Sequence, residues 1–148
     1  MLNQEPLIDV RLILRGETLD PVHVTTLFGT GASDSRVKGA TTHTSSGKDI
    51  IFKTGLWALN ASSAGLSISD QLRWLKEQLA SATVKPADIP GVQAVEISVF
   101  VALGSNDRGG GDFEFQLSPQ ELTWLSNLGV PISFAFAYVP TDPGNEAL

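Results

Sequence analysis

Apolar and polar residues alternate with period two in three parts of the chain. From Leu7 to Arg15, Ile8, Val10, Leu12 and Leu14 fall on one side and Asp9, Arg11, Ile13 and Arg15 on the other. That pattern predicts a half-buried strand. The longest run is Val92 to Leu103, where Val95, Ile97, Val99, Val101 and Leu103 oppose Glu96, Ser98, Phe100 and Ala102. Near the end, Ile132, Phe134, Phe136 and Tyr138 alternate with Ser133, Ala135 and Ala137, and the aromatic row is expected to face inward. Phe113, Phe115 and Leu117 predict one more strand, joined to the long one by a glycine-rich hairpin connection from Gly104 to Asp112.

Period changes to helical spacing in three places. Ile68, Leu72, Leu75 and Leu79 form a narrow stripe in a helix expected over Ser67 to Ser81, with Ser67 or Ser69 as its cap. The other two helices announce themselves by a shared start. Leu19-Asp20-Pro21 precedes Val24, Leu27 and Phe28; Leu117-Ser118-Pro119 precedes Leu122, Leu125 and Leu128. Asp20 and Ser118 have short oxygen-bearing side chains suited to a free N–H of the first turn. A proline in the first turn has no N–H to lose. Glu121, three residues after Ser118, completes a capping box. Gly29 and Gly129 stand where each helix should stop.

The middle of the chain is less regular. Thr30 to Asp49 is polar and rich in glycine, serine and threonine, and is read as a long loop with an edge strand at Arg36 to Lys38. Ile50 to Lys53 and Leu56 to Leu59 look like a hairpin around Thr54-Gly55. The full order is strand, helix, two strands, helix, two strands, helix, strand, and its first six elements follow the ferredoxin-like order. The expected fold is a two-layer α+β sandwich: a mainly antiparallel sheet with helices on one face. The open face would carry Asp9, Arg11, Arg15, Glu96, Ser98, Phe100, Glu114, Gln116 and Ser133, with the small alanines.

The 148 residues suit one domain, ordered over about 6–140 with a flexible tail at 141–148. There is no cysteine, which excludes a disulfide scaffold, a zinc ribbon and a thiol nucleophile. A net charge of −6 disfavours nucleic acid and is compatible with a basic protein partner. No apolar run approaches a membrane span, and Met1 to Pro6 lacks the features of a signal peptide, so a cytoplasmic protein is expected.

Little in the chain points to catalysis. Gly29-Thr30-Gly31 follows a helix, whereas a phosphate loop should open one. Ser33 and Ser35 lack a nucleophile elbow. His23 and His43 stand apart with no metal-ligand spacing. Asp107 and Asp112 do not match a calcium loop. The carboxylates are scattered, so neither an acid–base pair, a metal nor a cofactor is assigned. The residues that suggest binding are different. Trp74 lies about 120° from the stripe of its helix. Phe100 sits among polar neighbours. Arg11, Arg15 and Arg36 could hold an anion if they converge. Lys38 and His43 lie in the long polar loop. Trp57 and Trp124 are read as covering the rim of the core.

The order of these pieces resembles the bacterial family called domain of unknown function 4279. The resemblance rests on an opening strand running into Leu19 to Gly29, the pair Lys38-Gly39, and the strand Gly55-Leu56-Trp57-Ala58-Leu59-Asn60. It continues through the Leu72 to Leu79 helix and the closing run from Phe113 to Tyr138. One departure is Gln71 to Trp74, where relatives resemble a histidine-containing stretch. The resemblance implies a small cytoplasmic protein with no settled activity and no catalytic residue; some similar domains serve as immunity or accessory proteins beside toxins. The expectation is therefore a noncatalytic binding protein, of immunity or accessory type, whose partner is basic or toxin-like. The alternatives are a binder or enzyme for a small anionic molecule on the open sheet face, and self-association through an exposed strand edge.

Overall fold

The computed structural model describes residues 6–62, 67–104 and 113–139. The expected Gly104 to Asp112 hairpin connection, with Asp107 and Asp112, falls almost wholly outside the described residues, as does the 141–148 tail. Ten elements of regular structure follow one another: β1 (Leu7–Gly16), α1 (Pro21–Phe28), β2 (Asp34–Arg36), β3 (Thr41–His43), β4 (Asp49–Ile51), β5 (Gly55–Asn60), α2 (Ile68–Gln78), β6 (Ala94–Gly104), α3 (Pro119–Leu128) and β7 (Ile132–Val139). A short 3-10 turn at Pro86–Asp88 lies between α2 and β6.

The main sheet has five strands in the order β2-β5-β1-β6-β7. The pairs β2·β5, β5·β1 and β1·β6 are antiparallel, and β6·β7 is parallel. The first four strands form two interlocked split βαβ units: β5 lies between β1 and β2, and β1 lies between β5 and β6. This is an α+β sandwich with a mainly antiparallel sheet, as the element order suggests. The fifth strand is added differently. A parallel neighbour needs a crossover connection, and α3 lies in it.

Local chemistry explains the helix boundaries. The Asp20 side chain accepts from Val22 N–H, with Pro21 in the first turn, and Ser67 accepts from Asp70 N–H. At α3 the Ser118 hydroxyl accepts from Glu121 N–H at 3.1 Å, while Glu121 Oε1 accepts from Ser118 N–H at 2.9 Å. Gly29 and Gly129 close α1 and α3 at φ 72° and 71°, a left-handed conformation that a side chain would strain.

Between sheet and helices lies one core. β1 contributes Ile8, Val10, Leu12 and Leu14; β6 contributes Ile97, Val99, Val101 and Leu103. Val24 and Phe28 enter from α1, Ile68, Leu72 and Leu75 from α2, and Leu125 from α3. Leu122, expected on the α3 stripe, is instead exposed, because only Leu125 of that helix reaches full burial.

Three strand expectations are corrected. The stretches 50–53 and 56–59 do not pair with each other. β4 pairs with β3 in a separate two-stranded sheet, and β5 pairs with β1 and β2. The thirties and forties hold both short strands β2 and β3, and β2 ends at Arg36 rather than starting there. Phe113 to Leu117 forms no strand; β6 takes β7 as its neighbour, so that side of β6 is already occupied. Glu114 and Gln116 therefore do not belong to the open sheet face.

Candidate functional site

β7 is the edge of the sheet, and its side chains are unusual for a strand of a core. Its register places Phe134 beside Val99 and Phe136 beside Val101, so the aromatic row shares the helix-side face with buried residues of β6. The helices do not reach across it. Phe134 is 36% exposed, Phe136 49% and Tyr138 54%. The expected inward face is thus an aromatic shelf that continues the core layer past its helical cover.

The segment carrying Phe113 and Phe115 lies on that shelf. The Phe115 ring stacks on Phe134 with centroids 5.3 Å apart and on Phe136 at 6.3 Å. Phe113 lies 5.9 Å from Phe115 and 6.3 Å from Phe136. Phe115 remains exposed, and Phe113 is half-buried against the core. Such ring pairs stabilise beyond the area they bury. The cluster is therefore preorganised and still presents apolar surface, which is the character of an interaction patch.

On the opposite face the antiparallel ladders place the three arginines. Arg15 and Arg36 both lie across from Leu56, and Arg11 lies across from Asn60 and Ser98. Each guanidinium is engaged. Arg11 pairs with Asp9 at 2.6 Å, and Arg15 with Glu96 at 3.2 Å. Arg36 lies over the Phe52 ring at 4.1 Å. Ser133 donates to the other oxygen of Glu96. The arginines share a face, but their charges are already balanced or stacked. Phe100 lies on this face too, across from Asp9 and Ala135, and is 39% exposed.

The remaining sequence candidates are dispersed. Lys38 pairs with Glu17 at 3.7 Å. His43 pairs with Asp49 across the β3·β4 ladder, both side chains exposed. Trp74 is half-buried and packs against the core. No group of three histidine, cysteine, aspartate or glutamate side chains able to hold a metal is found among the described residues. No helix among them is long and apolar enough to cross a membrane.

Two clefts flank Trp124. The larger, about 310 Å³, is open to solvent and lined mainly by apolar groups, among them Phe28, Leu79, Val84 and Leu128. Its polar lining is Thr83, Lys85 and Asn127, which supplies no acid–base pair. The smaller, about 140 Å³, lies between α2 and α3 beside Arg73 and Glu121. Burial pushes the Glu121 pKa up. The bonds from Ser118 N–H, Ser69 and the Ser118 hydroxyl, with the nearby Arg73 charge, pull it down and prevail, so the carboxyl lies below its ordinary value. Glu121 is thus a capping carboxylate that also ties α3 to α2 through the Ser69 hydroxyl.

The family model described as a domain of unknown function, DUF4279, matches residues 6–138. The chain belongs to that family. No curated protein and no solved structure matches it. The DUF4279 match spans the chain from the start of β1 into β7, so it includes the arginine face and nearly all of the aromatic shelf.

Two residues of this DUF4279 chain acquire weight only in three dimensions. Gln71 is a fully buried polar side chain. Its Nε2 donates to the Ile8 carbonyl and its Oε1 accepts from Val10 N–H, both at 2.9 Å. Just before this point β5 has ended, with Ala61 N–H bonding the Val10 carbonyl. The amide of Gln71 thus stands in for the next residue of a neighbouring strand. Its spacing was a usable signal, since Gln71 lies three after Ile68 and four before Leu75. Trp57 is not at a rim. It is fully buried, edge-on to Phe28 at 5.1 Å, and its indole N–H donates to Thr25 Oγ1 at 3.1 Å.

Proposed function

We propose that this protein is a noncatalytic protein-binding module, of the kind an immunity-type inhibitor or accessory protein would be. The observation that carries the reading is the aromatic shelf: Phe115 stacks on both Phe134 and Phe136, and all three rings stay exposed. Burying such rings on association releases apolar surface from water, and aromatic side chains dominate interface energetics. The net charge of −6 suits a basic partner around the patch, where it would speed encounter more than it would add affinity. The anionic-ligand alternative has less support, because Arg11, Arg15 and Arg36 are each engaged within the chain.

The test compares the tagged wild type with Phe115→Ser and Phe134→Ser in lysate of the source organism, after thermal melts confirm that the variants fold. The expected result is a stoichiometric foreign protein held by the wild type and lost by both variants. Equal retention by all three would remove the shelf from the binding role.

A further inference from the structure

The backbone of β7 carries information beyond its rings. In a parallel pair, alternate residues turn both N–H and C=O toward the neighbouring strand. Ile97 N–H donates to the Pro131 carbonyl at 2.9 Å, and Ile97 lies in register with Ile132. It follows that Ser133, Ala135 and Ala137 turn their backbone groups to β6. Ile132, Phe134 and Phe136 turn theirs outward, to the edge that no strand occupies among the described residues.

Edge strands usually carry charges, a bulge or an internal proline that discourages pairing. β7 has none of these among its eight residues, Ile132 to Val139, although the chain as a whole is acidic. Pro131 stands just before the strand, whose eight residues set the pairable length. At roughly 3.3 Å per residue that length is about 26 Å.

We propose that the first occupant of this edge is a second copy of the same chain, paired antiparallel through β7 about a two-fold axis at Ala135. The inference rests on the protein-binding reading of the shelf and names one partner for it. Self-pairing matches each side chain in kind. On the helix-side face Phe134 meets the second copy's Phe136, and Ile132 meets its Tyr138. On the open face Ala135 meets Ala135, and Ser133 meets Ala137. The two sheets become continuous, and the two aromatic shelves join into one floor between the helical layers. A strongly basic partner strand would find no carboxylate on β7 to pair with, whereas the β7 of a second copy carries no charge and loses no ionic hydration there. A two-fold contact of this kind also closes on itself, so it ends at a dimer rather than a fibre.

Ala135 is exposed and its backbone groups serve β6, so a side chain added there leaves the sheet intact while placing like charges opposite each other across the axis. Sedimentation equilibrium of the full chain would be run for the wild type, Ala135→Lys, Ala135→Glu and an equal mixture of the two variants. The expected result is a dimer for the wild type, monomers for each variant alone, and a dimer restored in the mixture. A wild type that stays monomeric at submillimolar concentration overturns the proposal, as does a dimer that both charged variants retain. The lysate capture separates this proposal from the reading beneath it. Phe115-dependent capture of a foreign protein by a monomeric wild type sinks the dimer and leaves the binding role. A charge-sensitive dimer without such capture leaves the second copy as the partner of the shelf and removes the foreign one.

Discussion

β5 and β7 are both short, apolar and uncharged, yet one lies wholly inside the molecule and the other almost wholly outside. Gly55 to Leu59 are all buried, whereas along β7 only Ile132 and Ala137 reach even intermediate burial. Charge and apolar content do not distinguish them, since β5 carries Leu56, Trp57, Ala58 and Leu59 and β7 carries Ile132, Phe134, Phe136 and Tyr138. Place in the sheet does. β5 has strands on both sides, and its Trp57 lies edge-on to Phe28 of α1. Among the described residues β7 has one neighbouring strand and a face that the helices do not cover. A hydrophobic strand that a fold leaves uncovered is surface available for association, and both proposals build on that contrast.

The contrast is most severely tested at Trp57. Trp57→Ala removes a fully buried ring and its bond to Thr25, and should cost about 4 kcal/mol in urea unfolding. A loss under about 1 kcal/mol would mean that β5 is not the packed strand described. Next comes the end of β5, where Gln71 takes over as a surrogate strand. Gln71→Leu leaves Val10 N–H and the Ile8 carbonyl buried without that amide, and should cost on the order of 3 kcal/mol. Hydrogen exchange at Val10 should speed up selectively relative to Leu12. Uniform exchange along β1 would argue that the amide is incidental.

A smaller effect is expected on the β7 side, at the helix that leads into it. Ser118→Ala should cost about 1 kcal/mol through loss of the α3 cap. The same box has a pH signature. Glu121 has a folded-state pKa below the ordinary 4.5, so its stabilisation is complete above that value and is lost as pH falls through the lowered one. Glu121→Gln should flatten that part of the acid unfolding curve; an unchanged curve would show that the carboxylate is not held by its partners. Of similar size is Phe134→Ser, at about 1 to 2 kcal/mol, because the ring is partly solvated but stacks on Phe115. Its expected consequence is loss of partner capture. A large drop in stability instead would place the shelf with the core.

Much of the architecture is legible in the chain because it depends on neighbours in sequence. Period-two runs marked β1 and β6 with their buried faces, and short oxygen-bearing caps with first-turn prolines marked α1 and α3 to within a residue. The ferredoxin-like order of elements was legible as well, but its second strand is β2 and not the stretch 50–53. Those features come from backbone donors, side-chain periodicity and proline geometry, all local.

What sequence could not supply was pairing. The segment with Phe113 and Phe115 alternates as a strand would, but β6 had a neighbour in β7, and the segment became a layer of rings over that strand. The stretch 50–53 reads as the hairpin partner of 56–59, yet it pairs in a separate small sheet. Arg11, Arg15 and Arg36, distant in the chain, came to one face only through register, and their counter-charges and ring came by the same route. Hydrophobic periodicity says which side chains avoid water if they are covered. Which strand has a neighbour, and how far three helices reach across five strands, depends on contacts between residues far apart in the chain, and those form only in the folded molecule.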